Sequence, residues 1–167
     1  MAYYERSSRE VQFLPKSESV NFETRFIHSL PNPSHMSEVS EEVIEAASEA
    51  VSCSVSPRDF PGLGAAVGAE DGNIYTGSVV ETRDRHQSIH AERLAVFNAV
   101  SAHEEENLIT ELAINFPLGM DEESSALNVC GSCLHILAEF SEGDVPIHMK
   151  GAIGSKQAML SELYPDP

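Results

Sequence analysis

The sequence predicts an α/β protein in three layers, α/β/α, with helices on both faces of a central sheet. Three observations predict it. From residue 40 onward, helical and strand-like segments alternate in the order α-β-β-α-β-α-β-α. A Glu70-Asp71-Gly72-Asn73 turn joins two short apolar or β-branched runs, as in a hairpin. Residues 90 to 102 are apolar on nearly every face, which marks a helix pressed into the interior.

Residues 1–36 are rich in Ser, Asn and Pro and show no sustained periodicity, so they read as a poorly ordered arm outside the domain formed by residues 37–167. Val11, Phe13, Leu14, Phe22, Phe26 and Ile27 give this arm enough apolar surface to dock on a neighbour. A helix starts after Ser40, an N-cap residue followed by Glu41 and Glu42 in the first turn, with Val43, Ala47, Ala50 and Val51 on one face. Pro57 and Pro61 then impose a loop over residues 54 to 62. Leu63 to Gly68 and Ile74 to Val80 form the hairpin.

The buried helix opens at His90-Ala91-Glu92. Leu108 to Leu118 follows as a buried strand and Asp121 to Ser125 as an acidic loop. A second helix runs from Cys130 to Phe140, Val145 to Ile153 is a further strand, and Lys156 to Leu163 closes the chain as a short helix. Both helices that carry His or Cys at their starts fall on one side of the sheet.

The net charge is −17, and residues 1–36 contribute nothing to it, with four acids and four bases; the domain therefore holds 23 acids against 6 bases. Such a surface repels phosphate backbones, so a nucleic-acid substrate is disfavoured. It suits a protein kept soluble in high salt, or an ordinary acidic cytosolic protein. Three cysteines, with no apolar run of signal-peptide or membrane-span length, point to a cytoplasmic location without membrane association. In that compartment Cys130 and Cys133 read as metal ligands or a redox pair rather than a structural disulfide. A thioredoxin-like redox site needs about 70 residues after its Cys-x-x-Cys motif, and only 34 follow Cys133. Cys53 has no partner in sequence and reads as a small buried hydrophobe.

His90, Cys130 and Cys133 can supply three ligands to zinc and leave the fourth tetrahedral position for a water, the pattern of a catalytic site. Helix starts favour thiolate over thiol. In a helix that begins at His90, Glu92 projects about 200° further round. It is then free of the metal and placed as a general acid/base. Arg93 can pair with a thiolate and temper the negative charge.

Ser88-Ile89-His90-Ala91-Glu92-Arg93 and Asn128-Val129-Cys130-Gly131-Ser132-Cys133 together resemble the zinc-dependent cytidine deaminase family. The resemblance extends to Gly72 through Gly77, Leu137-Ala138-Glu139-Phe140 and Leu160 through Pro165, and spans roughly residues 38 to 165. It implies a mixed sheet of about five strands, zinc held by His90, Cys130 and Cys133, and Glu92 as the catalytic proton carrier. The implied reaction is hydrolysis of cytidine or deoxycytidine to uridine or deoxyuridine with release of ammonia. A homo-oligomer, tetramer or dimer, with sites at its interfaces is implied as well.

Departures from the family pattern bear on the substrate. Where the family shows Asn-x-Glu holding the ribose, this chain has Val79-Val80-Glu81, and a valine cannot replace a hydrogen bond whose loss costs about 1–3 kcal/mol. Phe60, beside Pro61, stands one residue from the expected pocket aromatic, in a stretch that looks somewhat like blasticidin S deaminase. Val129 replaces the proline before the first cysteine, and Leu134 a frequent arginine after the second. The expected substrate-binding set is thus Glu81, Val79, Phe60 and Ala91. Two other readings stay open: deamination of a related aminopyrimidine nucleoside, and a zinc-stabilised binding or assembly module without catalysis.

Overall fold

The computed structural model describes residues 38–57, 61–103, 108–117, 128–141 and 143–165. The expected arm (1–36), Phe60 and the acidic loop at 121–125 lie outside them.

Helix α1 (Glu41–Ala50) buries the predicted Val43, Ala47 and Ala50. Ser40 occupies the N-cap position, but its side chain does not cap the helix. Its main-chain N–H and its hydroxyl both donate to the carboxylate of Glu111, at 2.6 and 2.9 Å. That tie crosses from the start of α1 to strand β3 (Ile109–Phe116).

The hairpin forms as expected from β1 (Gly64–Ala69) and β2 (Ile74–Ser78), with the turn glycine Gly72 at φ 79°. The sheet has five strands in the order β2-β1-β3-β4-β5, where β4 is Pro146–Gly151 and β5 is Ser155–Met159. It is mixed: β3 and β4 run parallel, and the other neighbours are antiparallel. A parallel pair requires a crossover, and helix α3 (Gly131–Glu139) lies in the connection between β3 and β4.

Alternation along the strands creates two interiors. On one face Ala66 and Ala113 pack with Val39, Val43 and Ala47 of the α1 region. On the other, Ala65, Val67, Leu112, Ile114, Ile147 and Met149 pack with α3 and α2 (Ala91–Ala102). Thus α2 and α3 do share one side of the sheet. Gly77 lets α2 approach closely: a Cβ there would lie 2.2 Å from the Ala91 carbonyl oxygen and 2.4 Å from the Ala95 nitrogen.

Three expectations are corrected. The first half of the closing segment read as helix over Lys156–Leu163 belongs to strand β5, and helix α4 is confined to Leu160–Leu163. Lys156, Gln157, Ala158 and Met159 are good helix formers, but pairing with β4 across the Gly151–Gly154 turn overrides that preference. Cys53 is exposed rather than buried, because the chain leaves α1 through a short 3-10 turn at Val51–Cys53 that points it outward. Helix α2 is not buried all round: Phe97 is 40% exposed, and Leu94 is only partly covered. Among the described residues no helix is long and apolar enough to cross a membrane.

Candidate active site

His90 is the N-cap residue of α2 and Cys130 that of α3, both in extended backbone, so each helix begins one residue later. Cys133 follows in the first turn of α3, and its N–H donates to the Cys130 carbonyl at 2.9 Å. Because the two helices lie side by side on the sheet, their N-termini converge. His90 Nδ1 sits 3.4 Å from Cys130 Sγ and 3.5 Å from Cys133 Sγ. The three donor atoms all lie within 4.8 Å of one another.

These distances test whether the residues fit zinc. With Zn–N of about 2.0–2.1 Å and Zn–S of about 2.3 Å at tetrahedral angles, N and S should stand about 3.5 Å apart. The observed separations match. His90 is exposed and Cys133 buried, so the site opens on the histidine side and closes against the core on the cysteine side.

Glu92, in the first turn of α2 after His90, is 6% exposed. Its Oε2 is buried and has no hydrogen-bond partner among the described residues. Burial is the main cause that pushes its pKa above the ordinary value, opposed by its own backbone N–H, by His90 and by Arg93. Burial also pushes the Cys133 thiol well up, with the Glu92 charge adding to the effect and Arg93 working against it. A divalent cation among the three donors reverses that cost, since a coordinating thiol is deprotonated outright. Arg93 donates to the hydroxyl of Ser132, between the two cysteines, at 2.6 Å. This brings its positive charge to the helix start that carries the thiols.

The zinc-binding profile of cytidine and deoxycytidylate deaminases matches residues 37–149 of this chain. The chain belongs to that family. Over 107 residues it is 32% identical to a cytidine deaminase of Sporosarcina psychrophila, covering 64% of this chain and 73% of that protein. The cytidine deaminase structure from Burkholderia pseudomallei has a TM-score of 0.64 at 24% identity, covering 77% of this chain and 98% of that one. The Mycobacterium tuberculosis cytidine deaminase has a TM-score of 0.54 at 25% identity, covering 75% and 93%. The fold is that of the cytidine deaminases, and the matched zinc-binding region includes His90, Cys130 and Cys133, the group of donors that could hold a metal ion.

The remaining expected residues fall into place unequally. Ala91 is fully buried at the start of α2, beside both His90 and Glu92. Beyond β2, Val80 forms an antiparallel bridge with Ile89, through N–H to O distances of 3.0 and 2.9 Å. Val79 is 8% exposed and presents only methyl groups. The sequence reading did not single out Ser56, whose hydroxyl donates to Glu81 Oε2 at 2.6 Å. A lone serine 25 residues before its partner gives no local signal.

Proposed function

We propose that this protein hydrolyses cytidine or deoxycytidine to uridine or deoxyuridine with release of ammonia, using zinc held by His90, Cys130 and Cys133. The single observation that supports catalysis over a purely structural zinc domain is Glu92 Oε2, buried and without a partner among the described residues, in the first turn of the helix that His90 opens. A scaffold gains nothing from burying an acid that burial disfavours.

Zinc supplies Lewis acidity that lowers the pKa of a water to about 7. Glu92 accepts the proton that this water gives up as its oxygen adds to C4 of the pyrimidine. Glu92 then protonates ring N3, takes the remaining proton from the oxygen now on C4 and delivers it to the amine as the C4–N bond breaks, ending as the carboxylate it began as. Its raised pKa is the direction a two-way proton carrier near neutrality needs. Ala91, with no side chain beyond Cβ, leaves room for the base between His90 and Glu92. Phe60 supplies the stacking face, Glu81 takes a sugar hydroxyl, and Val79 provides an apolar wall.

The missing amide at Val79 favours one second reading, an aminopyrimidine nucleoside with a different sugar or sugar substituent. A panel of cytidine, deoxycytidine, cytosine, an aminoacyl aminopyrimidine nucleoside and adenosine, scored by ammonia release, separates the two. Cytidine or deoxycytidine should give the highest kcat/KM. Turnover confined to the aminoacyl nucleoside selects the second reading, and no ammonia from any of them leaves the zinc-stabilised binding or assembly module.

A cytoplasmic place in pyrimidine nucleoside salvage accords with this chemistry. The half-exposed Phe97 and partly covered Leu94 on α2 favour a homo-oligomer, tetramer or dimer, whose interfaces adjoin the sites. Sedimentation velocity should therefore give a mass above 18.2 kDa. A fully active monomer contradicts this.

A further inference from the structure

The loop between α1 and β1 does more than connect them. Ser54 Oγ both donates to and accepts from the Leu63 main chain at 3.1 Å, which fixes the loop at the entrance of β1. Val55 then lies alongside Val80 as a parallel bridge: its N–H donates to the Val79 carbonyl at 3.0 Å, and its carbonyl accepts from Glu81 N–H at 2.7 Å. The segment 79–81 is thus held on both sides, by the loop on one and by Ile89, next to His90, on the other. With the backbone fixed, Ser56 reaches across to the Glu81 carboxylate at 2.6 Å.

We infer that Ser56 is a positioning residue for nucleoside recognition: its hydroxyl holds Glu81 in the rotamer that meets a sugar hydroxyl, a task that Val79 beside it cannot share. The inference rests on the proposed role of Glu81 in the deaminase site. Glutamate has three side-chain torsions, and a carboxylate left to sample them loses part of its binding to that search. A short hydrogen bond to a charged oxygen is among the stronger local restraints available.

The test compares Ser56→Ala, Ser56→Thr and Glu81→Gln on cytidine and 3′-deoxycytidine, with product binding measured by calorimetry on uridine and 3′-deoxyuridine so that it does not depend on turnover. Ser56→Ala should raise KM for cytidine and Kd for uridine about tenfold, leave kcat within about twofold, and narrow the preference over the deoxy compounds. Ser56→Thr should restore both values. If Glu81→Gln weakens uridine binding while Ser56→Ala leaves it unchanged, the positioning role is wrong and the reading of Glu81 stands. If Glu81→Gln also changes nothing, or the parent protein binds no uridine, the sugar-contact reading fails and takes this inference with it. An equal loss on all compounds together with a lower kcat and Tm shows that Ser56 only holds the loop, which overturns the inference as well.

Discussion

Glu92→Gln should lower turnover on the best nucleoside by about 10²- to 10⁴-fold, or roughly 3–5.5 kcal/mol in the barrier, while zinc content stays at one per chain. Glutamine keeps the size and hydrogen-bonding capacity of the side chain but cannot carry a proton between water, N3 and the amine. Stability should not fall. A carboxyl whose folded pKa is raised favours the fold only while protonated, so its contribution is lost as pH rises through the ordinary value of 4.5 toward the raised one. At neutral pH the amide removes that cost, and the Tm of the metal-free variant should equal or exceed that of the metal-free parent. A variant that keeps more than about a tenth of parental turnover is incompatible with Glu92 as the proton carrier, since positioned proton transfer is worth at least about 10². A variant that loses zinc places Glu92 among the ligands instead.

Cys130→Ala should abolish both zinc retention and turnover. Two donors, His90 Nδ1 and Cys133 Sγ at 3.5 Å, remain, too few to hold an open tetrahedral site. Without the cation the pKa of the attacking water rises from about 7 toward that of bulk water, so activity should drop on the order of 10³-fold or more. The Tm of the zinc-loaded parent should exceed that of the variant by an amount that chelation of the parent removes, because a ligand held by the folded state alone stabilises it by about 2.7 kcal/mol at 100 times its Kd. Metal-free parent and variant should then melt together, as Cys130 is only partly buried. A variant that retains stoichiometric zinc would remove Cys130 from the ligand set.

The parts of this site that were legible in the sequence are those whose chemistry is local. His90-Ala91-Glu92 and Cys130-Gly131-Ser132-Cys133 announce their roles by spacing along one helix start each, and the apolar character of α2 and α3 sends both to the same face of the sheet. The hairpin was legible for the same reason, since Asp71-Gly72-Asn73 encodes its own turn. What escaped depends on partners distant in sequence. Strand β5 exists because β4 offers it a ladder and because Lys156 Nζ donates to Asn128 Oδ1 at 2.9 Å, neither of which its helix-forming residues reveal. Ser40 has the identity of a cap, yet Glu111, 71 residues away, captures both of its donors. Ser56 and Glu81 meet only because the loop after α1 lies against the end of β2. The exposed Phe97 marks the same limit in reverse: helical periodicity counts apolar residues but does not say whether the sheet is wide enough to cover them all.

If three donors at two helix N-termini hold the zinc on which deamination depends, ammonia release must follow a zinc titration of the protein. Chelated, metal-free protein is mixed with increasing zinc, and the initial rate of ammonia release from cytidine or deoxycytidine is followed at each step. Release should be absent without zinc, rise linearly as zinc is added and break sharply at one zinc per chain. Release that persists in the metal-free protein, or its absence at full zinc occupancy, would contradict it.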